Sequence, residues 1–369
     1  MGAGALLGLV VVDDCAAHRR AARAAVEVGA DFEIVGEARN GKEAVALVAL
    51  LRPAAILMDL DLPVMSGIEA IERIMATQPT PILVYSTLPG GPTGAMALEA
   101  LAAGAVDVLA KPGLGDGETP EEHAEQLRRR LKVAARVRVI THPRGRLRSQ
   151  GLAVAGRPLV GALCTAQPAV GSPFAPRPVD GVKLVAIGAS TGGPQALLTV
   201  LAALPDDLAQ AVLVVQHMAE GFIAGLAAWL DGLVAMPVVV GTGEGWLRPG
   251  TVTIAPSGSN LLVRDDRLRV GSSPPEPGQH HVPGIDQCFA SIAQALGPDA
   301  VGVLLTGMGR DGAAGLKAMR DRGAQTLGQD EASSIVYGMP QAAYALGAVE
   351  RQVGVHDVAP AVLALLGRP

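Results

Sequence analysis

Twice along its 369 residues this chain alternates short apolar runs with longer amphipathic stretches, and that alternation confines it to an α/β fold. In the first series, residues 6–12, 32–35, 55–58, 82–85 and 106–109 read as strands with helical stretches between them. Such β-α repeats predict a five-stranded, doubly wound parallel sheet. A second series begins at residue 181, with strands at 183–187, 211–215, 238–240, 251–255 and 300–305 and helices near 193–203, 222–231, 284–296 and 311–322. Between 237 and 270 the strands crowd together with only turns separating them, which predicts a short antiparallel excursion on a mostly parallel sheet. No internal repeat of about 20–50 residues is present, which argues against a solenoid.

Two series imply two cores, and the length exceeds the roughly 100–200 residues of one domain. The expected organisation is a first domain over 1–125, a linker over 126–180 rich in Arg, Pro, Gly and Ala, and a second domain over 181–369. A basic cluster near the linker (Arg128, Arg129, Arg130, Lys132, Arg136, Arg138) reads as the solvated face of a last helix. It lacks the interleaved aromatics of a nucleic-acid surface, and a net charge of -5 adds no electrostatic case for one. No nucleic-acid partner is therefore expected. The opening run to Val12 lacks a basic leader region and reads as a buried strand, and no stretch of about 18 apolar residues calls for membrane insertion. Cys15, Cys164 and Cys288 are widely spaced and odd in number, which suits a reducing, cytoplasmic compartment.

In a doubly wound sheet, all parallel strands end on one edge, where ligands bind. Asp13 and Asp14 follow the first strand, Asp59 the third, and Ser86 and Lys111 end the fourth and fifth. Clustered carboxylates repel unless a hard cation sits among them, so Mg²⁺ is the expected cofactor here. With that metal and Lys111 clamping a phosphoryl group, Asp59 becomes a candidate nucleophile. For any single acid, capping of a βα loop is an equally good account. Val11-Val12-Asp13-Asp14, Met58-Asp59-Leu60-Asp61-Leu62-Pro63 with Ser66-Gly67, and Lys111-Pro112 together resemble the response-regulator receiver domain over roughly residues 6–125. That resemblance implies Asp59 as phosphoacceptor, Asp13 and Asp14 as metal-binding acids, Ser86 as switch hydroxyl and Lys111 as phosphate-sensing amine. Asp61 is a rival acceptor, disfavoured because the proline four residues past Asp59 matches the family spacing.

The second series carries Gly188-Ala189-Ser190-Thr191-Gly192, a G-x-S-x-G turn that exposes a hydroxyl between strand and helix. A hydroxyl needs a base, and His217, ending the next strand, is the best placed of 7 histidines. Asp311, in Thr306-Gly307-Met308-Gly309-Arg310-Asp311, offers a carboxylate to orient the imidazole. Two other readings stay open at this level. The glycine turn also suits a dinucleotide, although Gln216-His217 stands where that fold wants an acid. Thr306–Asp311 also suits a phosphate at a helix N-terminus. His280 and His281 sit in a Pro/Gly loop without a spaced metal partner and are expected to be exposed.

Ile187-Gly188-Ala189-Ser190-Thr191-Gly192-Gly193, Val215-Gln216-His217-Met218, Leu305-Thr306-Gly307-Met308-Gly309-Arg310-Asp311-Gly312, and Gln329-Asp330-Glu331-Ala332 with Tyr337-Gly338-Met339-Pro340 resemble the catalytic domain of chemotaxis protein-glutamate methylesterases, the CheB family, over about 181–369. The resemblance implies hydrolysis of glutamate γ-methyl esters on methylated chemoreceptors, and deamidation of receptor glutamines. It implies Ser190 as nucleophile, His217 as proton carrier and Asp311 as orienting acid, with no cofactor at this site. Backbone N–H groups of Met308 and Thr191 are the oxyanion candidates. A histidine kinase is the expected phosphodonor to the first domain, and phosphorylated Asp59 is expected to draw in Ser86 and shift the hydrolase from a closed to an open population. Ala219-Glu220 depart from the prolines common in the family after the histidine, so the loop shaping substrate access is expected to differ.

Overall fold

A computed structural model describes residues 6–29, 31–87, 92–112, 119–137, 182–218, 221–241, 243–279 and 281–367. It divides into two units, Met1–Ala155 and Gly156–Pro369.

The first unit is a five-stranded sheet of order β2-β1-β3-β4-β5, built from β1 (Leu7–Val12), β2 (Phe32–Ala38), β3 (Ala55–Met58), β4 (Ile82–Ser86) and β5 (Asp107–Ala110). All four pairings are parallel. Helices α1 (Ala16–Glu27), α2 (Gly41–Leu51), α3 (Gly67–Thr77), α4 (Pro92–Ala102) and α5 (Pro120–Ala134) make the connections and close the unit. Residues of the inner strands β3 and β4 are buried on both faces, so those runs are continuously apolar, whereas the edge strand β2 alternates. On one face Leu9, Val11, Leu57, Leu83 and Leu109 join Ala22 and Val26 of α1 and Leu127 and Leu131 of α5 in one core cluster. Each such large side chain removed from water is worth about 1.5–3 kcal/mol. Helix starts follow local chemistry: Asn40 and Ser66 accept from the backbone N–H of Glu43 and Glu69, and Thr119 and Glu122 form a capping box.

Helix α5 runs on to Ala134 with Leu127, Leu131 and Ala134 buried, so the expected boundary at residue 125 falls inside an element of the first core. The basic residues of this helix are partly structural: Arg128 donates to the Ala25 carbonyl, Arg130 pairs with Asp107 at 2.9 Å and Lys132 with Asp31 at 2.5 Å. Arg138, Cys164 and the linker proper lie outside the described residues.

The second unit centres on a seven-stranded sheet of order β15-β14-β13-β6-β7-β10-β8. Its strands are β6 (Leu184–Ala189), β7 (Ala211–Gln216), β8 (Val238–Val240), β10 (Val252–Ile254), β13 (Ala300–Leu304), β14 (Gln325–Gln329) and β15 (Arg351–Val353), all paired in parallel. The antiparallel excursion forms a sheet of its own, β11-β12-β9, from β9 (Glu244–Trp246), β11 (Asn260–Val263) and β12 (Arg269–Ser273). Helices are α6 (Gly193–Ala202), α7 (Phe222–Asp231), α8 (Ile285–Ala295), α9 (Ala313–Asp321), α10 (Met339–Ala345) and α11 (Val358–Leu365). The chain passes from β6 to β7 on one side and later returns to β13 on the other, so the direction of strand order reverses at β6. That reversal opens a crevice at the carboxyl edge. Among the described residues, no helix is long and apolar enough to cross a membrane.

Candidate functional site

Both units put their polar residues on that edge. In the first, β1 and β3 are neighbours and flank the reversal of strand order, bringing Asp13 and Asp59 together. Lys111, carried by the end of β5, lies between them with Nζ 2.7 Å from Asp13 Oδ2 and 2.5 Å from Asp59 Oδ2. All three side chains are buried. Burial works against the lysine's charge, but hydrogen bonds and charge from Asp13 and Asp59 outweigh it and raise its pKa above the ordinary value. Asp59 Oδ1 also accepts from the N–H of Leu60 at 2.7 Å. Asp61, the other candidate acceptor, is exposed, whereas Asp59 is buried beside Lys111. Ser86 is buried on the neighbouring strand and its carbonyl accepts from Lys111 N at 2.7 Å.

Oxygens of Asp13 and Asp59 and a ring nitrogen of His18 lie within 4.8 Å of one another, a donor set whose carboxylates suit a hard divalent cation. Asp14, expected among the metal-binding acids, is exposed and stands outside that group. Two residues that sequence reasoning missed shape this pocket. Arg19 is buried and its Nη1 donates to the carbonyls of Asp13 and Asp14 at 2.7 and 3.2 Å, fixing the loop after β1. His18 Nδ1 stands 3.4 Å from Asp13 Oδ1 and 3.2 Å from Lys111 Nζ. Both occupy the first turns of α1, where an Arg or His has no spacing that distinguishes it from a surface residue.

In the second unit Ala189 pairs with Gln216 in the β6–β7 register, so Ser190 and His217 are the next residues on two adjacent strands. The N–H of His217 donates to the carbonyl of Ala189 at 3.0 Å, and that of Ser190 to the carbonyl of Thr306 at 3.0 Å. Three strand ends are thereby laced together. The turn after Ser190 needs Gly192 in the left-handed region (φ 76°), and a Cβ there would come within 2.6 Å of Ile335. Gly307 is required by crowding instead: a Cβ would lie 2.2 Å from Met339 Sδ and 2.8 Å from the Ser190 Cβ.

Asp311 is brought to the imidazole, with Oδ2 2.7 Å from His217 Nε2. Oδ2 also accepts from the N–H of Ile285, and Oδ1 from those of Asp286 and Gly312, each at 2.9 Å. The first two donors are the free N–H groups at the start of α8, which favour a negative charge. Burial alone would raise the pKa of Asp311, but the hydrogen bond and charge of His217 and these N–H groups overcome it and hold the pKa at about 2. The acid is therefore ionised at any working pH. Nearby Asp286 is shifted the other way, upward, by burial and by the Asp311 charge, against hydrogen bonds from the Gly315 and Gly312 N–H groups.

With Nε2 committed to Asp311, the base nitrogen left is Nδ1, which is buried and has no hydrogen-bond partner among the described residues. The expected hydroxyl–imidazole bond to Ser190 is thus not closed here; catalytic hydrogen bonds of this kind commonly tighten only with substrate bound. Of the oxyanion candidates, Thr191 is buried and its carbonyl accepts from Thr306 Oγ1 at 3.0 Å. Met308 is half-buried on the loop between Gly307 and Asp311.

The remaining motifs prove to be supports. Gln216 Nε2 donates to the carbonyls of Ser190 and His217 at 2.9 and 2.8 Å, bridging the two strand ends. Gln329 Oε1 accepts from the N–H of Thr306 at 2.7 Å, and the N–H groups of Gly338 and Met339 donate to the carbonyl of Gly307 at 3.2 and 2.9 Å. One expectation is overturned: His281 is not a bare loop residue but half-buried, stacked on His217. His280 and Ala219-Glu220 lie outside the described residues.

An alcohol, an imidazole and a fixed carboxylate on one sheet edge, with an acid-and-lysine pocket on another, define a class: a hydrolase of the serine type carrying a phosphoacceptor module. Comparison with known proteins makes this particular. Residues 9–116 match the response regulator receiver domain family and residues 185–362 match the CheB methylesterase family. The chain is 39% identical over 367 residues, 100% of itself and 98% of the relative, to protein-glutamate methylesterase/protein-glutamine glutaminase 3 of Paramagnetospirillum magneticum. It is 40% identical over 98% of both chains to the corresponding enzyme 1 of Caulobacter vibrioides. The solved catalytic domain of Thermotoga maritima CheB methylesterase is 28% identical and aligns with 51% of this chain and 100% of that domain, at a TM-score of 0.48. The chain belongs to the CheB methylesterase family, in the form that carries a receiver domain.

Proposed function

We propose that this chain is a phosphorylation-activated protein-glutamate methylesterase and protein-glutamine glutaminase, working in the cytoplasm on methylated chemoreceptors. The observation that carries the hydrolase assignment is the 2.7 Å contact between His217 Nε2 and an Asp311 held ionised by backbone N–H groups, on the same sheet edge as Ser190. Ser190 Oγ attacks the γ-carbonyl of the methyl ester while His217 Nδ1 takes its proton, and Asp311 stabilises the imidazolium through Nε2. The oxyanion is met by backbone N–H groups of Met308 and Thr191. Collapse expels methanol, which leaves with the proton from Nδ1. Water then attacks the acyl-serine by the same route and releases glutamate. A glutamine side chain follows the same path with ammonia as leaving group.

In the first unit, Asp59 is the nucleophile toward the phosphoryl group of a histidine kinase, Lys111 Nζ binds the transferred oxygens, and the Ser86 hydroxyl turns toward them. Asp13 and Asp59 are the residues that would hold Mg²⁺, with the exposed Asp14 beside them as a further candidate oxygen, and the ion would supply neutralisation of the phosphoryl charge. The domain reading that accompanies this is a receiver over 1–125, extended through α5, and a catalytic domain over 181–369.

The test is incubation of wild type and Ser190→Ala with a methylated receptor fragment, following methyl loss by mass. Wild type is expected to strip methyl groups, faster when phosphorylated, and Ser190→Ala to fall by about 10⁴-fold or more. Equal rates for the two proteins would remove Ser190 as nucleophile and the assignment with it.

A further inference from the structure

The loop between β12 and α8 carries a second imidazole that the reaction scheme leaves unused. The ring of His281 stacks on that of His217 with centroids 4.4 Å apart and planes at 16°. This is a close, near-parallel face contact for an aromatic pair. The ring of His217 is thus held in two independent ways. Asp311 fixes one ring nitrogen in the plane, and His281 covers one face. A single hydrogen bond anchors one point of a ring and still allows tilting about that anchor. The stacked face removes that freedom, and the atom whose direction it decides is Nδ1, the nitrogen that must meet Ser190.

The loop is itself held. Gln279 Nε2 donates to the His281 carbonyl at 2.6 Å and to Asn260 Oδ1 at 2.8 Å, and the same Oδ1 accepts from the Gly284 N–H at 2.7 Å. Asn260, on β11, is buried at 1% exposure. One amide of the antiparallel sheet therefore pins the segment on both sides of His281. A residue delivered by a scaffold of this kind has its ring position specified rather than sampled.

We propose that His281 is a positioning residue for the hydrolase reaction, holding the plane of the His217 imidazole by ring stacking so that Nδ1 can meet Ser190 when substrate is bound. It does not touch the reacting atoms. The inference rests on the serine-hydrolase reading above, and its effect falls on turnover rather than on substrate binding.

The experiment measures methanol release from methylated receptor by full-length wild type, Ser190→Ala, His281→Ala and His281→Phe. In His281→Ala, kcat is expected to fall about tenfold, equivalent to 1.4 kcal/mol of barrier, with KM within about twofold. Phenylalanine keeps a flat face without the nitrogens, so His281→Phe is expected to recover kcat to within about threefold of wild type. Unchanged kcat in His281→Ala, a change in KM alone, or a phenylalanine variant as slow as alanine would each overturn the stacking role while leaving Ser190-dependent activity intact. Absence of Ser190-dependent activity in wild type would instead bring down the hydrolase reading, and this inference with it.

Discussion

The two carboxylate sites of this molecule are built on the same edge of the same kind of sheet, yet the first adds a buried lysine to its backbone donors where the second adds an imidazole and the start of a helix. Asp13 and Asp59 face a side-chain cation, Lys111, at 2.7 and 2.5 Å. Asp311 faces backbone N–H groups of Ile285, Asp286 and Gly312 at 2.9 Å, with the His217 ring at 2.7 Å and the Asp286 carboxyl beside it. An ammonium on a flexible stem can move aside when a phosphoryl group or a metal enters. Backbone dipoles cannot, and they cost no reorganisation when charge develops nearby. The first arrangement suits a site that must change state, the second one that must not.

This contrast is tested most severely at the fixed acid. Asp311→Asn keeps the shape but loses the charge that matches an imidazolium, and kcat for ester hydrolysis is expected to drop about 10⁴-fold. Phosphate uptake at Asp59 from a small-molecule donor should continue at the wild-type rate, since the two sites share no residue; a parallel loss would show that they are not separable. Next in size, Lys111→Ala leaves two buried carboxylates without their counter-charge and is expected to destabilise the first unit by roughly 3 kcal/mol. Added Mg²⁺ should restore part of that in thermal melting, because a mobile cation is replaceable. No recovery would argue that the lysine acts by packing alone.

The smallest effect is a pH dependence with opposite signs at the two sites. The pKa of Asp311, at about 2, is depressed from 3.8, so its contribution is present above pH 3.8 and is lost as pH falls toward 2. The shift corresponds to about 2 kcal/mol, and the stability gap between wild type and Asp311→Asn in urea should close over that window. Lys111 is raised instead, so its contribution is full below its unfolded value of 10.5 and is lost only as pH rises through the folded pKa. Through these two groups, acid weakens the second unit and alkali the first.

Much of this was legible in the sequence because parallel strands write themselves as apolar runs ending in a polar residue. That pattern located Asp13, Asp59, Lys111, Ser190 and His217 at strand ends before any contact was known. It failed at β14 and β15, where Gln325–Gln329 and Arg351–Val353 are polar or short and carry no such signature. It also failed for His281, whose role is created by a tertiary contact, and for the N–H groups of α8, since backbone donors have no letter in a sequence. Motifs such as Gln329 and Gly338-Met339 could be recognised but not interpreted until their hydrogen bonds to Thr306 and Gly307 were seen.

Helix α8 does two jobs at once. Its first N–H groups grip Asp311, while Phe289 and Ile292 further along are fully buried in the main cluster of the second unit. The interior of the domain and the acid of its reaction centre are thus joined by one rigid rod. Small changes deep in that interior will be transmitted to chemistry, so that an apparently silent repacking beneath the helix registers first as a slower enzyme and only later as a weaker fold.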